Sequence, residues 1–226
     1  DSAASDLTTR YPYVDLWLPP SRYEPLVEHI AKSGTGNPEA VLPPMISRYV
    51  TIIDGCNNFC SYCIVPLRRG RERSKPVDEI VAECQELTRR AAREITLLGQ
   101  NVDSYGHDLP GKPTLAHLLR VIHDIPGLWR IRFLTNHPKD MSQELIDTVV
   151  TLPKVCEHIE LAVQSGNNDI LQRMNRHYTR EQYLDLIKRI RSAFPQVGIA
   201  TDVIVGFPGE TCEQFEDTYR LLEEVR

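Results

Sequence analysis

The sequence predicts an α/β fold, a partial (βα) barrel of parallel strands and crossover helices, on three observations. Short apolar, β-branched runs recur from Ile46 onward, a helix-like segment follows each of them, and a cluster of cysteines lies just past the first run. Such a fold gathers its chemistry at the carboxyl ends of its strands, so the third observation agrees with the other two.

Each element has its own reason. Residues 1–45 carry many prolines, a short apolar piece at Val14-Asp15-Leu16-Trp17-Leu18, a helical piece at Arg22 to Lys32 and a Gly/Asn/Pro loop at Gly34 to Pro38. They are too few to bury a core alone, so they read as a linker and the remnant of a preceding domain. Strands are expected at Arg48 to Ile53, Glu94 to Leu98, Arg130 to Leu134, His158 to Val163 and Ile199 to Val205, where apolar and β-branched residues concentrate. Helices are expected at Val77 to Arg93, Thr114 to His123, Ser142 to Thr151, Asp169 to Met174, Thr179 to Ala193 and Cys212 to Arg226. Ser142, three residues before Leu145, and Thr179, ahead of Glu181 and Gln182, suit N-cap positions. The result is five βα units in a domain of residues 46–226, with any further strand expected after Arg226.

Composition narrows the function. The chain of 226 residues is 41% hydrophobic and 25% charged, and it has no run long enough to span a bilayer. Its start, Asp1-Ser2-Ala3-Ala4-Ser5-Asp6, is polar rather than signal-like, so a cytoplasmic location without a membrane partner is expected. The formal net charge of −5 does not announce a nucleic-acid surface, so an RNA grip must come from a local patch or from another segment. The basic run Arg68, Arg69, Arg71, Arg73 and Lys75 is either a solvated loop or such a patch.

Six cysteines in a chain of this kind point to metal or redox chemistry rather than a disulfide framework. Cys84, Cys156 and Cys212 are scattered and read as small, partly buried apolar residues. Cys56, Cys60 and Cys63, in Gly55-Cys56-Asn57-Asn58-Phe59-Cys60-Ser61-Tyr62-Cys63, have the spacing CxxxCxxC. Three thiolates so placed can hold three irons of a 4Fe-4S cubane and leave the fourth iron open. A zinc site fits less well, since it wants four closed ligands or three with histidine or carboxylate among them.

Further motifs accompany the cysteines. They are Arg69-Gly70-Arg71-Glu72-Arg73-Ser74-Lys75-Pro76, Leu97-Leu98-Gly99-Gln100-Asn101-Val102-Asp103-Ser104-Tyr105-Gly106, Thr135-Asn136-His137-Pro138-Lys139-Asp140 and Val163-Gln164-Ser165-Gly166. Met174-Asn175-Arg176-His177-Tyr178-Thr179 and Thr201-Asp202-Val203-Ile204-Val205-Gly206-Phe207-Pro208-Gly209-Glu210-Thr211 complete the set. From about Ser47 to the end, these motifs resemble the radical S-adenosylmethionine (SAM) enzymes and, among them, the methylthiotransferases. Gly99-Gln100-Asn101 favours the branch that acts on tRNA, where N6-isopentenyladenosine next to the anticodon becomes its 2-methylthio form. A methylthiotransferase acting on an aspartate of a ribosomal protein and a non-enzymatic iron-sulfur module are the alternatives.

The resemblance implies a 4Fe-4S cluster on Cys56, Cys60 and Cys63, with SAM closing the open iron and cleaved by one electron to a 5′-deoxyadenosyl radical. It implies SAM contacts from Gly99, Gln100 and Asn101 to the methionine part, from Gln164, Ser165 and Gly166 to the ribose, from Arg176 to the carboxylate, and from Val205 and Gly206 to the adenine. More modest roles compete: a turn for Gly99, a strand-to-helix cap for Gln164-Ser165-Gly166, a surface charge for Arg176 and a hydrogen-bonded loop residue for His137. Family members also carry an N-terminal domain with a second 4Fe-4S cluster and a C-terminal RNA-binding β-domain. The chain is therefore expected to be the central portion of a longer enzyme, a monomer reduced by flavodoxin or ferredoxin and unable to complete the reaction alone.

Overall fold

Strand β1 (Ser47–Thr51) lies parallel to β4 (Glu94–Leu98), and β4 lies parallel to β5 (Arg130–Phe133). In this computed structural model, which describes residues 7–18, 24–33 and 45–226, the sheet continues through single parallel bridges, Ile131 to Val155 and Asn136 to Leu161. These lead to β6 (His158–Glu160), which pairs in parallel with β7 (Gly198–Ala200). The strands thus follow the order β1-β4-β5-β6-β7 around an incomplete barrel. The chain divides into two compact units, Asp1–Pro43 and Pro44–Arg226.

The helices run at Val77–Arg89, Leu115–His123, Gln143–Thr151, Asn168–Arg173, Arg180–Ala193 and Cys212–Glu224. The five longer ones are amphipathic, and their buried apolar residues join the strands in one core. Leu115, Leu118, Leu119 and Ile122 of one helix join Ile95, Leu97, Ile131 and Phe133 of the strands in a single buried core. Ile95, Thr96 and Leu97 are all buried because β4 is central and covered on both faces. Ser142 and Thr179 cap their helices as expected. Ser142 accepts from the Leu145 amide, and Thr179 forms a reciprocal capping box with Gln182.

The departures are local and have physical causes. The helix that starts at Val77 ends at Arg89 rather than Arg93, because Ala91 turns left-handed at φ 76° and the Arg93 and Glu94 amides both bond to the Ile46 carbonyl. Strand β6 stops at Glu160 rather than reaching Val163. There the Thr201 hydroxyl donates to the Leu161 carbonyl and accepts from the Val163 amide, replacing ladder bonds. The first strand breaks at Ile52, and β2 (Ile53–Asp54) pairs antiparallel with β3 (Arg73–Ser74), a short two-stranded ribbon not expected in an all-parallel array. A short helix, Val65–Arg68, was also not anticipated.

In the smaller unit a helix spans Glu24–Ser33, whereas Val14 to Leu18 is neither helix nor strand. Arg22 and the Gly34 to Pro38 loop lie outside the described residues. Cys84 is fully buried and Cys156 half-buried, as expected for small apolar residues. Cys212, at the start of its helix, is instead exposed. Among the described residues no helix is long and apolar enough to cross a membrane.

Candidate functional site

The cysteine loop leaves β2 through Gly55, whose φ of 75° and close neighbours leave no room for a side chain. A Cβ there would lie 2.2 Å from the Arg71 carbonyl oxygen. The loop is then held on both flanks. On one side the Cys56 amide donates to the Gly70 carbonyl at 3.2 Å, and Asn57 bonds to Glu72 and Arg71. On the other, the Ser61 amide and hydroxyl reach the carbonyls of Met174 and Arg173, and Asn175 Nδ2 reaches the Phe59 carbonyl. Cys56 is buried, Cys60 and Cys63 are half-buried, and all three are free thiols. Burial pushes the Cys56 thiol up, against the pull of the Asn58 amide. Among the described residues no three His, Cys, Asp or Glu side chains converge on one point, as a single zinc ion would require. A cubane puts its thiolates on separate irons and makes no such demand.

Next to this loop, at the carboxyl ends of the strands, is a cavity of about 180 Å³ lined by Gln100, Thr135, Asn136, His137, Glu160, Ala162, Gln164, Arg176 and Asp202. Its polar character follows from strand alternation. Ile159, Leu161 and Val163 are fully buried on one face, which leaves Glu160, Ala162 and Gln164 on the other, facing the cavity. Thr135 at φ 68° and Gln164 at φ 67° both bend left-handed at its edge, a costly conformation for residues with a Cβ and one that clusters at functional sites.

The cavity also collects polar atoms without partners. Gln100 Oε1, Asn136 Oδ1 and His137 Nε2 are buried and unbonded, as is Asn101 Oδ1 beside them. Asn101 and Asn136 are oriented by the carboxylates of Asp140 and Asp103, to which their amides donate, so their free oxygens are acceptors. With Glu160 and Asp202 the site is rich in acceptors, while Arg176 and His137 Nε2, the protonated ring nitrogen since Nδ1 accepts from the Lys139 amide, are donors, so it suits a ligand carrying ammonium and hydroxyl groups along with an acceptor. The amino acid and ribose of SAM are of that kind, and three free cysteines are the donors in type and number that a cluster with an open iron would take.

The structure brings together only some of the expected contact residues. Gln100, Gln164 and Arg176 line the cavity, whereas Asn101, the residue after Gln100, is not among its lining residues. Gly99 lies against β2, where a Cβ would meet Ile53 Cγ2 at 2.4 Å, so it serves close packing between strands. Ser165 and Gly166 face the last helix: the Gly166 amide donates to Thr218 Oγ1 at 2.8 Å and Ser165 Oγ lies 3.2 Å from the same atom. Val205 is 65% exposed, and Gly206 donates to Glu210; neither lines the cavity. Glu160, Asp202, Thr135 and Asn136 line it without having been singled out for it. The signal was available in the period-2 pattern around Glu160, which places a carboxylate inside an otherwise apolar run.

Two buried groups beside the cavity titrate oddly and set opposite pH dependences. Burial, aided by Arg176, Lys139 and His177, holds His137 far below its ordinary value, so it stays neutral. That contributes stability above pH 6.5 which is lost as pH falls. Burial pushes Asp103 up to about 7, against the hydrogen bonds from Asn136 and the His137 amide. Its contribution is present below pH 3.8 and is lost as pH rises through about 7. His137→Asn removes only the first. Its stability deficit against the parent is expected to shrink by about 1.4 kcal/mol between pH 7.5 and 5.5, measured by thermal melts across that range. A constant deficit would show that His137 protonates freely in the folded chain.

The family model for the radical SAM superfamily matches residues 50–222, and the chain belongs to that superfamily. Within it, the chain is similar to proteins named tRNA-2-methylthio-N(6)-dimethylallyladenosine synthase. One from Dehalococcoides mccartyi is 58% identical over 184 residues, covering 81% of this chain and 44% of the relative. One from Roseiflexus sp. is 52% identical over 224 residues, covering 96% of this chain and 47% of the relative. The chain spans less than half the length of these relatives. Among solved structures, the radical SAM methyltransferase TsrM from Kitasatospora setae superposes with a TM-score of 0.63 at 18% identity, over 78% of this chain and 34% of that one. Coproporphyrinogen III oxidase from Escherichia coli gives 0.58 at 15% identity, over 83% of this chain and 43% of that one. These likenesses show the fold.

Proposed function

We propose that the chain is the radical SAM portion of a methylthiotransferase, placing a methylthio group on carbon 2 of N6-isopentenyladenosine next to the anticodon of tRNA. The observation that carries the reading is a single juxtaposition: three free cysteines on a clamped loop beside an acceptor-rich cavity at the strand ends. When bound, the 4Fe-4S cluster and SAM supply one-electron reductive cleavage of the sulfonium and the radical chemistry that follows. The chain's own residues bind, orient and exclude water. Cys56, Cys60 and Cys63 would hold the irons, while Gln100, Asn101 and Gln164 would offer hydrogen-bond partners to the amino acid and ribose. The neutral His137 offers a buried ring without adding charge.

Gly99, Ser165 and Gly166 belong to this reading as packing positions next to the lining residues Gln100 and Gln164 rather than as direct contacts, and Val205 and Gly206 as a segment a few residues past the lining Asp202. Residues 1–45 belong to a preceding domain, with residues 46–226 as the radical SAM domain. The intact enzyme works in the cytoplasm, binds tRNA, carries a second cluster in its N-terminal domain and takes electrons from a flavodoxin- or ferredoxin-like donor.

The test is anaerobic reconstitution of the chain with iron and sulfide, followed by electron paramagnetic resonance of the reduced protein with and without SAM. A 4Fe-4S signal that changes when SAM is added is expected. A cluster indifferent to SAM would replace the reading with an electron-transfer module, and tightly bound zinc without a cluster would defeat it. Methylthiolation of isopentenylated tRNA against a ribosomal-protein substrate, assayed on the intact enzyme, decides the substrate.

A further inference from the structure

Arg176 is 5% exposed, yet no carboxylate lies within ion-pair distance of it among the described residues. A buried cation without an anion is costly, so its surroundings demand an account. Each of its nitrogens is engaged. Nε donates to the Tyr178 hydroxyl at 3.1 Å, and Nη2 donates to the Ala162 carbonyl at 2.8 Å. Nη1 points at Cys60 Sγ, 3.5 Å away, with the Tyr62 hydroxyl at 3.4 Å. The guanidinium also lies against the Tyr178 ring, 5.3 Å from its centroid. The fork is therefore fixed on two sides by the segment that follows β6 and the loop after Asn168–Arg173, and its Nη1 reaches the cysteine loop at Cys60 Sγ and the Tyr62 hydroxyl.

Building on the proposed cluster, we infer that Arg176 is a positioning residue for Cys60: it orients that sulfur ligand and raises the cluster's reduction potential. A cationic donor at a ligand sulfur favours the reduced cluster, which carries one more negative charge, over the oxidised one. Arginine suits the task because its planar fork bonds to Ala162 and Tyr178 and still presents a donor to Cys60. The sequence alone suggests a different partner, the SAM carboxylate. The geometry points to the sulfur, because Nη1 lies 3.5 Å from Cys60 Sγ while Nε and one N–H of Nη2 donate to protein acceptors that hold the fork in that direction.

The experiment is a dye-mediated redox titration of the reconstituted chain without SAM, followed by electron paramagnetic resonance. The parent, Arg176→Gln and Arg176→Lys are compared, with circular dichroism and iron content measured on each. At a fixed solution potential near the parent midpoint, Arg176→Gln is expected to show about a tenfold lower ratio of reduced to oxidised cluster, equivalent to about 59 mV for one electron. Arg176→Lys, which keeps the charge and loses the fork, is expected to fall between the two. A folded Arg176→Gln protein that no longer retains the cluster also supports an orienting role. If Arg176→Gln does not fold, Arg176→Lys decides by the same shift. Equal midpoints in parent and folded, loaded variants would overturn the proposal, and failure of the parent to load a cluster would instead strike at the radical SAM reading beneath it.

Discussion

Alanine at Cys56, Cys60 or Cys63 is expected to abolish SAM cleavage by the reconstituted chain, the largest functional loss any single substitution in it will cause. A cluster with an open iron relies on three protein ligands, and each sulfur lost leaves a second iron without one. The three positions differ in what else they disturb. Cys56 is buried and accepts from the Asn58 amide at 3.5 Å, so its alanine variant also leaves a small void under the loop. Cys60 is the sulfur faced by Arg176, and its loss leaves that buried cation without its sulfur partner. Cys63 closes the loop through its amide, which donates to the Cys60 carbonyl at 2.9 Å, and this bond survives substitution. The readouts are iron and sulfide content, the reduced-cluster signal and methionine released from SAM. Cys212→Ala, at the exposed start of its helix, serves as the control and is expected to match the parent. Full activity in any variant of the three would remove that residue from the ligand set.

Local chemistry makes most of the scaffold legible in the sequence. Strand β4 has the bounds expected for it, and the helices starting at Ser142 and Thr179 begin where their caps placed them, because propensity and capping act within a few residues. What was not legible depends on distant partners. The arrest of β6 at Glu160 comes from Thr201, 41 residues on, and the anchoring of the cysteine loop comes from Arg173 to Asn175, more than 110 residues on. The same holds at the site. The spacing of Cys56, Cys60 and Cys63 is local and announces itself. The aim of Arg176 and the outward turn of Ser165 and Gly166 are set by helices and loops whose placement no local pattern encodes. The polar inner wall is an intermediate case: the alternation of Ile159, Leu161 and Val163 with Glu160, Ala162 and Gln164 encodes it, but only once the barrel interior is known to be the wet side.

Gly166→Ala is expected to lower stability by about 3 kcal/mol, a fall of roughly 6–12 °C in melting temperature for a domain of this size. The cause is steric. A Cβ on Gly166 would sit 2.6 Å from both the Asp217 carbonyl oxygen and Thr218 Cα, and 3.0 Å from the Asp217 carbonyl carbon, all backbone of the Cys212–Glu224 helix. No side chain can rotate to make room, so the helix itself must retreat. That retreat stretches the bonds it makes here: Gly166 amide to Thr218 Oγ1 at 2.8 Å, Ser165 to Thr218 at 3.2 Å and Asn167 Nδ2 to Asp217 at 2.7 Å. Gly198→Ala is the matched control, since its Cβ would meet His158 at an ordinary 3.5 Å within a strand. It is expected to be neutral or slightly stabilising. The effect should also reach the cavity. Gln164, two residues upstream, donates its amide to the Asp202 carbonyl at 2.9 Å, and both residues line the wall. Calorimetric titration of SAM into reconstituted Gly166→Ala protein, at a temperature where it remains folded, should therefore give weaker binding than in the parent. A variant that melts early but binds SAM normally would confine Gly166 to scaffolding, whereas one that melts with the parent would show that the helix has room to move that the close contacts at Gly166 do not suggest.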